Sequence, residues 1–295
     1  MFRITARTVL ELGSELISSD IIAFYELIKN GFDAGTKTGV EVRFDIALSR
    51  RAYLKLVEKI GAGGSAEESK EAAAAALLPT ASEAALEGFR EAIAAATSRQ
   101  SLLDNLAEAQ KRFNRIIVSD TGLGMSRDDL ERNFLVIGTA SRKREVEAAL
   151  KRGDSQAPYL GEKGIGRLSA MRLGERLRVE TARADETHLN LLEIDWRAFG
   201  DVDAMLDQIP VAPTAGPAKP FEAWSGTSIV ISDLTENWTQ ARVTELTEPV
   251  PGLASRYIGT AIASPFRSCR PLCWRPPMRR SAELMRLSTT HRSSK

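Results

Sequence analysis

The stretch that decides the fold is residues 20–34, DIIAFYELIKNGFDA. A helix over these residues turns by about 100° per residue and places five apolar side chains on one face. The opposite face carries Glu26, Asn30 and Asp33. Residues three and four positions apart are neighbours on a helix, so these three side chains lie together. A solvated outer face is the ordinary explanation, but a carboxylate beside an amide oxygen can also hold a water molecule and a hard cation. The apolar face comprises Ile21, Phe24, Tyr25, Ile28 and Phe32.

The composition is that of an ordinary globular protein. The chain has 295 residues, of which 43% are hydrophobic and 27% are charged, so it can bury a substantial core. The formal net charge of +1 supplies no overall field for nucleic acid or anionic lipid. The sequence has no apolar run of the roughly 18 residues that span a membrane, and its N-terminus lacks the apolar core of a signal peptide. Two cysteines give no disulfide framework. We therefore expect a cytoplasmic protein with no membrane partner.

A second informative stretch is residues 115–130, RIIVSDTGLGMSRDDL. Its apolar run predicts a buried strand that ends at Asp120, and the capping-box-like pair of Ser126 and Asp129 predicts a helix start directly after the loop. A carboxylate held at a strand end can accept a hydrogen bond from an exocyclic amine such as that of adenine. Gly122 and Gly124 would let the backbone approach a planar ligand, and Met125 offers an apolar surface to a ring. A plain strand-turn-helix connection is the alternative, whereas an EF-hand calcium loop is excluded because its alternating acidic ligands and terminal glutamate are absent.

A third stretch, residues 158–171 (PYLGEKGIGRLSAM), combines three glycines and a lysine before a predicted helix. Backbone N–H groups of such a loop, with a helix N-terminus behind them, attract phosphate. A Walker A loop is excluded because Gly166 is not followed by Lys and then Ser or Thr. A dinucleotide fingerprint is excluded because it needs a further glycine and a preceding strand, and Ser169 and Pro158 supply neither.

The remaining patterns predict a sheet that is interrupted by helices. Alternating apolar and polar residues at 40–46 indicate a half-buried strand, and 175–181 with 187–195 indicate a strand pair. Residues 209–220 are typical of a linker rich in Pro, Ala and Gly, and residues 224–234 predict another strand that contains Gly226 and Thr227.

Composition then suggests a division of the chain into five parts. Residues 47–112 are rich in Ala, Glu, Lys, Arg and Leu and predict three or four helices, serving either as a decoration or as a partner-binding arm. This helical insertion separates residues 1–46 from 113–240, which together form the main domain. Residues 241–264 would start an incomplete following segment, and 265–295 form a basic tail.

The basic tail allows two interpretations. It holds both cysteines, Cys269 and Cys273, and a large excess of arginine over acidic residues. It is either a basic arm for nucleic acid or a disordered terminus, translated in a shifted frame after disruption of a longer gene. A zinc site is a poor explanation because a fourth ligand is missing beside His291.

Four sequence boxes occur in one order along the chain. They are Glu26-x-x-x-Asn30-x-x-Asp33-Ala34, Asp120-x-Gly122-x-Gly124-Met125, Gly161-x-x-Gly164-x-Gly166-x-x-Ser169 and Gly226-Thr227. The set resembles the GHKL ATPase superfamily, which includes DNA gyrase B subunits, heat-shock chaperones, histidine kinases, MutL and the MORC proteins. The pattern is more similar to the chaperone, MutL and MORC branch than to the kinases, because Tyr25 stands where those kinases commonly have histidine and no phospho-accepting helix precedes residue 20.

The resemblance implies a two-layer α/β sandwich, the Bergerat-type ATP-binding fold. Its mixed, mainly antiparallel sheet would be covered on one face by helices, with ATP between helices and sheet. By the same resemblance, Asn30 would bind Mg²⁺, Asp120 would accept from the adenine amine and Glu26 would act on the attacking water. The other nucleotide-binding residues that it implies are Asp33 in the first box, Gly122, Gly124 and Met125 at the base, Lys163, Gly164 and Gly166 near the phosphates, and Thr227 at the adenine end.

The implied function is magnesium-dependent ATP hydrolysis that drives a conformational switch. Hydrolysis of this kind depends mainly on positioning and charge stabilisation. The resemblance also implies a homodimer, and a client protein or DNA that the sequence does not name. Clamp-type members usually carry a second domain with a catalytic lysine or arginine, and we expect this chain to be truncated before one. The alternatives are a nucleotide-binding module or remnant that does not hydrolyse ATP, and a protein kinase of the same superfamily.

Overall fold

The computed structural model describes residues 4–136, 168–247 and 262–263. Within these ranges the protein is a two-layer α/β fold, as predicted, with a seven-stranded sheet and helices that share its hydrophobic core. None of the helices in these ranges is both long and apolar enough to cross a membrane. The helices are α1 (Ala6–Leu16), α2 (Asp20–Asp33), α3 (Arg50–Gly61), α4 (Ala66–Ala75), α5 (Glu83–Ala94), α6 (Arg99–Phe113), α7 (Arg127–Asp129), α8 (Ser169–Leu173) and α9 (Gln240–Thr247). The strands are β1 (Val40–Asp45), β2 (Arg115–Asp120), β3 (Gly174–Ala182), β4 (His188–Asp195), β5 (Thr214–Ala218), β6 (Gly226–Leu234) and β7 (Ile262–Ala263).

The sheet has the strand order β5-β4-β3-β6-β2-β1-β7. Every pairing is antiparallel except that of β1 with β7, which is parallel, so the expected mixed and mainly antiparallel sheet is confirmed. The interpretation of residues 209–220 as a linker missed β5, which pairs with β4 at the edge of the sheet. This strand is largely exposed and contains Pro217, which an edge strand tolerates. The strand is held by its backbone pairing with β4 and buries little side-chain surface, so its sequence needs no alternation of apolar and polar residues.

Helix α2 starts at the predicted residue and ends one residue before the predicted Ala34. Its buried face differs from the predicted one, because Phe24 and Ile28 are buried as expected but Ile21, Tyr25 and Phe32 are only half-buried. Ala23 and Leu27 are buried in addition.

Ser19 caps α2 by accepting a hydrogen bond from the Ile22 N–H group at 3.3 Å. The Phe24 ring is fully buried and lies 5.7 Å from the Phe44 ring and 5.4 Å from the Trp238 ring, measured between centroids. Aromatic contacts of this kind join α2 to strand β1 and to the segment before α9.

Gly31 lets the C-terminal half of α2 approach the sheet closely. A Cβ atom on Gly31 would lie 2.5 Å from Val40 Cγ2 and 3.1 Å from Asp120 Cβ. Glycine weakens a helix interior, so its position here is explained by this contact with β1 and β2. The consequence is that Ala34, at the end of α2, lies beside the loop that follows strand β2.

Helices α3 to α6 follow β1 and pack around a hydrophobic cluster of their own, which includes Phe89, Leu102 and Leu106. The two ends of this helical segment are fastened to the sheet by buried polar groups. Asn114 Oδ1 accepts hydrogen bonds from the N–H groups of Ala47 and Leu48, and its amide donates to Leu48 O at 2.8 Å. Whether residues 47–112 form a separate unit stays a prediction.

A buried carboxylate makes the second fastening. Asp45 accepts hydrogen bonds from the N–H and hydroxyl groups of Ser82, both at 2.7 Å, and from Arg115 Nη2 at 2.9 Å. Burial by itself raises the pKa of Asp45, but these hydrogen bonds outweigh it and hold the pKa below its ordinary value. This carboxylate ties the segment before α5 to both β1 and β2.

The part of the chain after β6 returns to the main core. Trp238, Val243 and Leu246 are buried in the same hydrophobic cluster as α2 and the inward face of the sheet. The predicted start of a further segment at residue 241 stays a prediction, and the tail at 265–295 lies outside the described residues.

We predict that Gly31→Ala destabilises the protein although alanine is the better helix former. The added methyl group meets the side chains of Val40 in β1 and Asp120 in β2, and overpacking of this kind costs roughly 1–3 kcal/mol. Urea unfolding followed by circular dichroism measures the change in the free energy of unfolding. The matched control is Gly61→Ala at the end of α3, where a Cβ would meet nothing within 4 Å. Equal stability of the two variants would contradict the close approach at Gly31.

Candidate functional site

The loop between β2 and α7 is fixed against the end of α2. Gly122 N–H donates to Asp120 Oδ1 at 2.8 Å, and Leu123 N–H donates to the Ala34 carbonyl at 2.9 Å. A Cβ on Gly122 would lie 2.5 Å from that same carbonyl oxygen, so a side chain there would separate loop and helix. The first and second sequence boxes therefore meet directly.

The second half of the loop is fixed to β3 and β4. Gly124 has a φ of +68°, and a Cβ there would lie 1.9 Å from the Ala182 carbonyl oxygen, so only glycine fits. Met125 N–H donates to Thr181 Oγ1 at 2.9 Å, and Asn190 Nδ2 donates to Met125 O at 3.1 Å. Met125 is half-buried, and its side chain packs against the main core. The loop is thus held from both sides by the protein itself.

Thr181 is the residue that sequence reasoning missed. Its hydroxyl is fully buried, donates to Gly226 O at 2.9 Å and lies 3.0 Å from Thr227 Oγ1, so Thr227 is the donor in that second bond. One hydroxyl therefore joins the second box, through Met125 N–H, to the fourth box. The sequence contained an indication of this role, because the alternation of β3 places Thr181 on the inward face of the sheet after Leu177 and Val179. A polar side chain on that buried face needs hydrogen-bond partners.

The carboxylate of Asp120 lies at the junction of these elements. Asp120 is paired with Thr227 across β2 and β6, and the added Cβ of Gly31 would touch it from α2. Burial raises the pKa of Asp120 to about 6, although the backbone N–H groups of Gly122 and Thr227 donate to it and act in the opposite direction. A further N–H donor from a ligand would stabilise its ionised form.

The polar face of α2 is half-buried along its length, at Glu26, Asn30 and Asp33. Within the described part of the chain, the side chains of Glu26 and Asn30 have no hydrogen-bond partner. Asn30 directly precedes Gly31, so its turn of the helix is the one that lies against Asp120. The structure thus brings the first, second and fourth boxes together.

The third box is described only at its end. Lys163, Gly164 and Gly166 lie outside the described residues. Ser169 is the first residue of α8, it is fully buried, and its hydroxyl has no hydrogen-bond partner among the described residues. Those residues also contain no group of three or more His, Cys, Asp or Glu side chains that could hold a metal ion.

Comparison with known proteins agrees with this geometry. The family model described as "Histidine kinase-, DNA gyrase B-, and HSP90-like ATPase" matches residues 17–215, which is more than half of the chain.

Similar individual proteins are bacterial chaperones named HtpG. The protein from Cupriavidus taiwanensis is 31% identical over 121 residues, which cover 39% of this chain and 19% of that protein. The proteins from Ehrlichia ruminantium (strain Gardel) and Treponema pallidum (strain Nichols) are 28% and 26% identical over 38% and 42% of this chain. The matched region spans 18% and 19% of the length of those two chaperones.

We predict that Asp120 makes stability fall as pH rises through the weakly acidic range. The pKa of Asp120 is about 6 in the folded state, against an ordinary value of 3.8. Protonated Asp120 therefore contributes its full stabilisation below pH 3.8, and this stabilisation is lost as the pH rises through about 6. The free energy of unfolding of the wild type, relative to Asp120→Asn, should fall by up to about 3 kcal/mol between pH values of about 4 and 7.

The matched control for this measurement is Asp45→Asn. The pKa of Asp45 is lowered, so its contribution is present at neutral pH and is lost as pH falls through its folded-state pKa. Urea unfolding between pH values of about 4 and 7 should therefore give a falling difference curve for Asp120 and a nearly flat one for Asp45, whose contribution is lost only at lower pH. A flat Asp120 curve would show that its carboxylate is solvated.

Proposed function

This chain belongs to the family of histidine kinase-, DNA gyrase B- and HSP90-like ATPases, and on that premise we propose that it binds ATP with Mg²⁺ and hydrolyses it. The observation that carries the proposal is the half-buried Asp120 carboxylate, which lies at the end of a central strand beside the helix that carries Glu26 and Asn30. The Asp120 carboxylate offers a hydrogen-bond acceptor for the adenine base, and the polar face of α2 beside it offers ligands for the phosphate end of the same nucleotide.

The adenine end of the proposed site is built on the network of Thr181. Asp120 accepts a hydrogen bond from the exocyclic amine, while Thr227 donates its backbone N–H group to Asp120 and its hydroxyl to Thr181. Gly122 and Gly124 let the loop pack closely against Ala34 and Ala182, which holds the loop in place beside the base, with Met125 as an apolar contact. This end is rigid, which favours binding because little freedom remains to be lost.

The phosphate end of the proposed site uses α2 and the third box. Asn30 contributes an amide oxygen to Mg²⁺, with Asp33 beside it, and nucleotide phosphates complete the ligand set, as Mg²⁺ commonly prefers. Mg²⁺ neutralises charge on the phosphates when bound. Glu26 orients or deprotonates the attacking water. Lys163, Gly164 and Gly166 are proposed to contact the phosphates.

The biological role that we propose is a conformational switch driven by ATP. The similar proteins carry the name chaperone, which supports a client protein as partner. A homodimeric assembly and a cytoplasmic location belong to the same proposal and rest on the family alone.

We predict that Mg-ATP raises the melting temperature of the 295-residue chain by several degrees. Ligand at about 100 times its dissociation constant adds roughly 2.7 kcal/mol of stability. The shift should vanish in Asp120→Ala, which loses the acceptor for the adenine amine, and should persist in Asp104→Ala, an exposed residue of α6. Differential scanning fluorimetry measures it, with Mg-GTP as the ligand control. A cooperative melt with no shift in the wild type would remove the nucleotide site.

We predict that Glu26→Gln retains ATP affinity and loses turnover. Loss of a positioned general base lowers the rate by roughly 10²-fold or more. Phosphate release and equilibrium binding of a fluorescent ATP analogue measure the two quantities, and Glu91→Gln on the exposed face of α5 is the control. Equal rates in wild type and Glu26→Gln would exclude Glu26 from the mechanism. ATP binding without phosphate release in the wild type would favour a nucleotide-binding module. Transfer of a radiolabelled γ-phosphate from ATP to a second protein would favour a kinase.

A further inference from the structure

Asp20 is a buried carboxylate whose two oxygens are held by different arginines. It is the first residue of α2, and its side chain is 10% exposed. Arg172 Nε donates to Asp20 Oδ1 at 3.0 Å, and Arg242 Nη2 donates to Asp20 Oδ2 at 2.6 Å. The arginines come from α8 and α9, so one carboxylate joins three helices.

The role of Asp20 is not that of a helix cap. Ser19 already accepts the hydrogen bond from Ile22 N–H at the start of α2. A carboxylate that is buried between two guanidinium groups contributes little net stability, because desolvation offsets the attraction, but it fixes the relative placement of the groups that it joins.

The Arg172 side of this cluster leads to the third box. Arg172 lies in α8, whose first residue, Ser169, is the last residue of that box. The end of α8 is also fastened to the segment after β6, because the hydroxyl of Thr235 donates to Arg172 O at 2.9 Å and its N–H group donates to Leu173 O at 3.2 Å. Movement of Arg172 would therefore move the whole short helix.

The Arg242 side is held from several directions. The Arg242 guanidinium lies 5.2 Å from the centroid of the Trp238 ring, and its Nη1 donates to Glu236 Oε2 at 3.2 Å. The hydrogen bond from Arg242 to Asp20 raises the pKa of Arg242 above its ordinary value. Trp238 in turn packs on Phe24 of α2. Asp20 is thereby supported by a fixed arginine while it holds Arg172.

We infer that Asp20 is a positioning residue, which sets Ser169 and α8 relative to Asn30 and so shapes the phosphate end of the proposed ATP site. This inference rests on the proposed function. The adenine end lies near Ala34, at the opposite end of α2 and about 20 Å from Asp20. The cluster acts through α8, and its hydrogen bonds involve none of the residues assigned to the base, so the base contacts should be unchanged.

The test compares two ligands that share the base and differ in phosphates. Isothermal titration calorimetry is carried out on the full chain with Mg-ATP and with adenosine, using wild type, Asp20→Asn, Arg172→Gln and the control Asp195→Asn, which loses an exposed partner of Arg197. We expect Mg-ATP to bind about 10-fold or more weakly to Asp20→Asn and Arg172→Gln, since a small misplacement of positioning groups has effects of that size. Adenosine should bind within about 2-fold of the wild type.

The outcomes separate the two proposals. Equal weakening of both ligands would show a general structural role and overturn the inference, as would unchanged Mg-ATP binding. A wild type that binds neither ligand would overturn the proposed function, and the inference with it. If Asp20→Asn lacks a cooperative melt, Arg172→Gln decides the question, because it leaves the hydrogen bond between Asp20 and Arg242 in place.

Discussion

Helix α2 can carry the site because it lies against the sheet at a distance that no side chain at residue 31 permits. The contact of Gly31 with Val40 and Asp120 places the last turns of α2 at the ends of β1 and β2. The Ala34 carbonyl then becomes a hydrogen-bond acceptor for the next loop, which folds against it through Gly122 and Leu123. The arrangement of the loop, and through it the link to β3 and β6, depends on this single close approach.

Three aspartates of the described structure differ in how their negative charge is compensated. Asp20 and Asp45 are each paired with arginine, which compensates their burial. The hydrogen bonds identified for Asp120 come from backbone N–H groups, and its pKa is raised. A desolvated carboxylate without a cationic partner among the described residues is costly for stability, and such groups concentrate at functional sites. The contrast among the three carboxylates singles out Asp120 on physical grounds alone.

Much of the fold and of the candidate site could be predicted from local sequence. Helix α2, the strand before Asp120 and the cap at Ser126 follow from periodicity and capping, and the structure contains them. Strand β5 could not be predicted because it is an exposed edge strand held by backbone pairing. The bonds of Thr181 and Asp20 were missed because their partners lie far away in sequence, up to 222 residues for Arg242 and Asp20. Local patterns specify elements, but not which distant partner a polar side chain will meet.

The helical segment between β1 and β2 has a consequence for the order in which the protein folds. Asp45 and Arg115 are adjacent in the sheet but 70 residues apart in the chain, so pairing these strands from an unfolded chain requires the closure of a long loop. Helices α3 to α6 have contacts that are local in sequence and a core of their own, which is the kind of structure that forms quickly. Once they have collapsed, the ends of β1 and β2 are already near each other, held by Asn114 and Asp45. The helical segment would thus act as a folding scaffold that brings two central strands into register before the rest of the sheet assembles.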